Sequence, residues 1–151
     1  MSRTDQPRKT LRTDARELVE TCAGWNSRLA ARRISRFLDR EMEPTGLSVA
    51  QVGLMAEIAA GADDTLGALA RRSGLEQSTL SRNLKTLDAQ GLIEIATVEA
   101  DQRRRAVWLT EAGARRLEAA VPVWREAHAR LTQALDPALA AALARGSEAL
   151  D

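Results

Sequence analysis

The chain has one cysteine, one histidine, one phenylalanine and no tyrosine in 151 residues, and its aromatic content is 3%. With a single Cys and a single His, a Cys/His metal cluster cannot form within one subunit, and no cofactor or metal is expected. A serine triad would have to use His128, which lies on an apolar helical stripe; it reads either as a packed core histidine or as a ligand contact. Asp63 and Asp64 look like turn and capping residues, not an acid/base pair, and no glycine-rich phosphate loop occurs, so a non-enzymatic protein is expected. No apolar run approaches the roughly 18 residues of a membrane span. Residues 1–13 lack the apolar core of a signal peptide. The expectation is a cytoplasmic protein without membrane partners.

Length and charge bound what remains. One domain's worth of chain carries a net charge of only +1, so bulk attraction to nucleic acid is weak and the placement of charge matters more than its sum. Residues 71–85 hold four cations against one acid, and Asp101-Gln102-Arg103-Arg104-Arg105 holds three against one. Arg3, Arg8, Lys9 and Arg12 stand against Asp5 in a polar start, residues 1–13, which reads as a disordered basic tail.

The most informative stretch runs from Leu66 to Thr110. Leu66, Leu69 and Ala70 have helical spacing over residues 66–73, and Gly74 stands where the chain must turn with positive φ. A second helix over 77–90 puts Leu80, Leu84 and Leu87 on one stripe, leaving Gln77, Ser78, Thr79, Ser81, Arg82 and Lys85 on the other side. Short polar side chains near a helix start can reach base edges, and Arg82 and Lys85 can reach bases or phosphates. Any amphipathic surface helix is also polar outside. The small Ala70, turn Gly74 and inward Leu80 have the spacing of a helix-turn-helix. Asn83 departs from it, which means either a rotated helix or a further outward residue. Gly91 is the expected left-handed cap, and two short strands follow, over 92–98 and 106–109, with the charged run 101–105 between them as a hairpin tip.

From Asp101 the register is Asp-x-Arg, five residues, then Leu109-Thr110. Here the chain resembles the multiple antibiotic resistance regulator (MarR) family, over about residues 14–150. The resemblance implies a mainly α fold with a small antiparallel β wing, a winged helix-turn-helix of about six helices. It implies a wing whose arginine, here Arg103, enters the minor groove while Asp101 holds it. A guanidinium suits a narrow groove of strong negative potential, and a nearby carboxylate can orient it. Arg104 and Arg105 join that set, and double-stranded DNA is the expected partner. The competing reading of 101–105 is a solvated hairpin tip.

Outside this module the pattern is helical. Leu18, Cys22, Trp25, Leu29, Ile34, Phe37, Leu38 and Met42 mark a long first helix ending near Pro44. Ser48 through Gln51 form a capping box, with Leu47 and Val52 as a hydrophobic staple. Leu117, Val121, Trp124, His128, Leu131 and Leu135 are spaced like a coiled-coil seam on a helix over 111–135, interrupted by Pro122, where a kink is expected. Asp136-Pro137 opens a last helix. Helices with unburied seams at both ends require a partner, and a second copy is the simplest. The expected layout is therefore a tail over 1–13, a dimerisation helix over 14–46, a winged lobe over 47–110 and dimerisation helices over 111–151. Together these make one intertwined domain, with Leu18, Trp25, Val121, Trp124, Leu131 and Leu135 at the dimer interface.

Two further expectations come from the resemblance. One is a crevice for a small aromatic or carboxylate effector, for which Trp25, Arg28, Arg32 and His128 are candidates. The other is thiol sensing, which a branch of the family performs with a first-helix cysteine. Counted back from the capping box, that position falls nearer Gly24 than Cys22, and the supporting tyrosines are missing. Cys22 therefore reads as a small apolar residue, a redox sensor or an intersubunit disulfide. The function these features favour is that of a homodimeric repressor bound to a pseudo-palindromic site. Its alternatives are a redox regulator acting through Cys22 and a winged-helix protein-interaction module.

Overall fold

A computed structural model describes the backbone of residues 5–98 and 101–151, with side chains described over 10–97 and 104–151. Its elements run α1 (Asp5–Thr21), α2 (Ala23–Met42), α3 (Val49–Ala60), α4 (Leu66–Ser73), α5 (Gln77–Ala89), β1 (Ile93–Val98), β2 (Asp101–Leu109), α6 (Glu111–Leu131) and α7 (Pro137–Ser147). One compact unit is Met1–Arg36 and the other is Phe37–Asp151.

The first unit corrects two expectations. Helix α1 starts at Asp5, in place of the disordered tail expected to residue 13. Pro7 falls in the first turn, where its missing N–H breaks no intrahelical bond, and helix formers follow. The single long first helix is also divided at Cys22, which raises the helix count from the expected six to seven among the described residues. The side chain of Asn26 makes the break tolerable: Nδ2 donates at 3.1 Å to the Glu20 carbonyl, which the end of α1 leaves without a helical donor, and at 3.0 Å to the Cys22 carbonyl, which also accepts from Asn26 N.

The second unit packs around a core in which Met42, Leu54, Met55, Leu69, Leu87 and Ile93 are fully buried. Each such side chain contributes about 1.5–3 kcal/mol by leaving water. The caps at Ser48 and Asp136 are those read from the sequence, and Thr65 caps α4 directly after Asp63 and Asp64. Ser48 and Gln51 form the reciprocal box, Thr65 accepts from Ala68 N, and Asp136 accepts from Ala138 N ahead of Pro137.

Strand β1 pairs antiparallel with β2 from Ile93↔Leu109 to Thr97↔Arg105 and then slips, so that Val98 faces Asp101. One step on β1 thus matches four on β2, and residues 102–104 lie in a bulge. The charged run is therefore part of β2, not a tip between shorter strands, because the pairing continues across the irregularity. An isolated antiparallel bridge, Thr65↔Ala106, joins the α3–α4 connection to the wing.

Helix α6 stays one element through Pro122, whose missing donor would have bonded the carbonyl of Glu118, an exposed residue. The helix ends at Leu131, short of the expected 135, because the next bonds tighten to i→i−3, from Gln133 N to Arg130 O at 3.2 Å and from Ala134 N to Leu131 O at 3.0 Å. Leu135 lies beyond the helix and is half-buried. The buried face of α6 also differs from the expected seam. Gly113, Ala120, Ala127 and Leu131 are buried, while Leu117 and Trp124 pack against the unit's own core and Val121 and His128 are half-buried at its edge.

Candidate nucleic-acid interface

Gly74 ends α4 with φ 61°, and the chain re-enters helix at Gln77. Ser73 secures the corner by donating from its hydroxyl to Ala70 O at 3.2 Å while accepting from Leu75 N at 3.3 Å. Because Leu80, Leu84 and Leu87 are buried, the other side of α5 faces out: Gln77, Ser78, Ser81, Arg82 and Lys85 are exposed and Thr79 is half-buried. All six expected recognition residues thus lie on the open side of one helix.

Asn83 settles its own ambiguity, since Nδ2 donates to Thr79 O at 3.0 Å and the half-buried side chain is bound to its own helix. Ala70 is a correction. It is exposed and, with Leu66, Gly67, Leu75, Gln77, Leu80, Ser81 and Leu84, lines an open groove of about 390 Å³ between α4 and α5. The buried small residue of α4 is instead Ala68.

Gly91 has φ 69°, and Leu92 N reaches back to Leu87 O at 3.0 Å, closing α5 and directing the chain into β1. In the wing, Arg104 and Arg105 are exposed. Together with Thr65, Leu66 and Gly67 at the start of α4 they line a hollow of about 270 Å³. Asp63 stands beside it. The Thr65 hydroxyl and backbone N–H both donate to its carboxylate, at 2.7 and 2.9 Å, and hold its pKa below the usual value, with smaller contributions from Arg104 and Arg71. Asp101 and Arg103 belong to β2, and their side chains lie outside the described residues.

The remaining candidates are less gathered. Trp25, Arg28 and Arg32 are exposed residues of α2. His128 sits on α6 with its ring 4.8 Å from that of Trp124. Cys22 is a half-buried free thiol at the α1–α2 break, not a buried apolar residue within a helix. Among the described residues no group of three or more metal-ligating side chains occurs, and no helix is long and apolar enough to cross a membrane.

Two residues make structural contacts that the sequence patterns do not give. Thr110 donates from its hydroxyl to Gly91 O at 2.6 Å and accepts from Gly113 N at 3.0 Å, tying the end of α5 to the start of α6. Gly113 lies against the Leu92 carbonyl with no room for a Cβ. Its only sequence signal is a glycine inside a helical pattern.

Two helices joined by a left-handed glycine, followed by a two-stranded hairpin packed on the second of them, define a winged helix-turn-helix. The sequence profile of the MarR family matches residues 45–104. The crystal structure of the transcriptional regulator MosR of M. tuberculosis in complex with DNA is 34% identical, covers 85% of this chain and 96% of its own, and superposes with a TM-score of 0.74. The chain belongs to the MarR family of transcriptional regulators. A mutant of MarR from E. coli complexed with operator DNA, at 23% identity, covers 88% of this chain and 96% of its own with a TM-score of 0.71. PcaV of Streptomyces coelicolor, solved with its natural ligand, shares 17% identity over 88% of this chain and 96% of its own at 0.73. These last two show a common fold. No curated protein sequence matches the chain.

Proposed function

We propose that the protein is a cytoplasmic, non-enzymatic regulator that binds double-stranded DNA as a homodimer and represses by occluding a pseudo-palindromic site. The observation that carries this is the exposed polar and cationic face of α5, set in the same compact unit as a wing strand bearing Arg104 and Arg105. Gln77, Ser78, Thr79, Ser81, Arg82 and Lys85 are assigned to the major groove. Of the wing residues, Arg103, Arg104 and Arg105 are assigned to the minor groove and flanking phosphates, and Asp101 to holding Arg103 in position. A winged-helix module that has lost DNA binding is expected to lack cations at these positions.

The dimer reading is supported by apolar faces that one chain leaves open. Leu11, Leu18, Val19 and Trp25 in the first unit, and Leu139, Leu143 and Leu150 in the second, are each about half exposed or more. Release by a small aromatic or carboxylate effector is part of the proposal. Its support is a cleft of about 360 Å³ walled by Val49, Val52, Ala56, Leu117, Val121 and Trp124, with Arg125 at its edge.

Selection of bound sequences from random duplex DNA tests function and half-site spacing together; recovery of no enriched sequence would refute the reading. Within it, Arg103→Ala should weaken binding by about 1–3 kcal/mol and lower the salt slope by about one, with the fold unchanged. Undiminished affinity in a folded variant would remove the wing from the interface. Arg82→Ala should relax preference at one position of each half-site if Arg82 reads a base. A loss spread evenly over all sequences would assign it to phosphate.

A further inference from the structure

The wing is joined to the helix-turn-helix through the short connection between α3 and α4, and one side chain of α4 grips that connection. The guanidinium of Arg72 donates from Nε to Glu57 Oε2 at 3.2 Å, from Nη1 to Asp63 O at 3.2 Å and from Nη2 to Glu57 O at 3.5 Å. Three contacts from one rigid, planar fork constrain orientation far more than a single ammonium would. Gly61 lies beneath the fork. Its φ of −71° is open to any residue, but a Cβ there would collide with Arg72 Nη2 and the Glu57 carbonyl. This glycine provides space, not backbone freedom.

The gripped segment leads directly to the wing. Asp63, whose carbonyl Arg72 holds, is followed by Asp64, whose carbonyl accepts from Val107 N at 2.8 Å, and by Thr65, which bridges to Ala106. Ala106 and Val107 immediately follow Arg104 and Arg105 in β2. We infer that Arg72 is a positioning residue for the wing: through the 61–65 connection it sets how β2 is held against the helix-turn-helix, without touching DNA itself. The inference rests on the DNA-binding reading above. Because the Arg72–Glu57 pair is partly exposed, with side chains 31% and 42% accessible, it contributes little to global stability. Its effect lies in sparing the wing an ordering cost on binding.

The full-length protein with Arg72→Met and, separately, Glu57→Ala tests this by two readouts. The first is hydrogen exchange of the Val107 amide in the free protein. It should quicken about tenfold in both variants while the Leu84 and Leu87 amides of α5 keep their protection. The second is affinity for the selected duplex, expected to fall roughly tenfold for Arg72→Met and several-fold for Glu57→Ala. The two variants separate positioning from direct contact. Glu57→Ala removes an acid and leaves the cation free, so a phosphate-binding Arg72 would make that variant bind more tightly. Tighter binding by Glu57→Ala, or an unchanged Val107 exchange rate in either variant, overturns the inference. Should Arg72→Met fail to fold, Glu57→Ala decides by the same two readouts. A wild type that binds no duplex refutes the function instead, and the exchange measurement still judges the grip on the wing.

Discussion

Gly113→Ala is expected to destabilise the protein by about 3 kcal/mol, the upper end for overpacking a well-filled interior. Gly113 is buried in the first turn of α6, and a Cβ there would fall inside the carbonyl group of Leu92. The obstacle is backbone, so no rotamer change relieves it. That carbonyl also accepts from Thr110 N at 3.1 Å, while Thr110 caps α6 and reaches Gly91. Backing α6 away would therefore break the joint between the recognition helix, the wing and the C-terminal helices. For a domain of this size the loss corresponds to a fall in melting temperature of roughly 6–12 °C. Calorimetry of the purified variant is the check. A melting temperature equal to wild type would show that the joint yields without cost.

Trp124→Ala should cost about 3–5 kcal/mol from lost burial and the cavity left behind. Trp124 packs against the core of its own unit, faces the ring of His128 at 4.8 Å and walls the cleft beside Leu117 and Val121. It is only half-buried within one chain, so the upper part of that range requires a second subunit over the same surface. Two recognition helices bind cooperatively only when held about one helical turn apart, with half-sites roughly 10 bp from centre to centre. On the dimer reading, specific binding should therefore collapse although α5 and the wing are untouched. Light scattering on and off DNA, together with titration of the selected duplex, gives the answer. A stable wild-type monomer that binds one half-site at full affinity would sink the dimer.

Local chemistry makes several features of this fold legible in the amino-acid sequence. Leu80, Leu84 and Leu87 recur at the helical period, so the outward set Gln77 to Lys85 follows from geometry alone. Ser48 with Gln51, and Asp136 with Pro137, are starts whose partners lie within three residues. Gly74 and Gly91 adopt the positive φ that such turns demand. The Asp-x-Arg register with Leu109-Thr110 carries the family.

What the tertiary structure alone decided depends on residues far apart in the chain. The buried side of α6 holds the small residues Gly113, Ala120 and Ala127 rather than only the bulky seam, and at Gly113 close approach of the Leu92 carbonyl, not hydrophobicity, decides. The break at Cys22 relies on a side-chain cap from Asn26, and the bulge in β2 on pairing that resumes beyond it. Arg72 and Glu57 are ordinary charges in sequence. They become a clamp because the fold brings the ends of α3 and α4 together and lays Val107 against Asp64. Periodicity and capping act over a few residues and can be read from the chain; contacts between positions 57 and 72, 64 and 107, or 92 and 113 exist only once the chain has closed on itself.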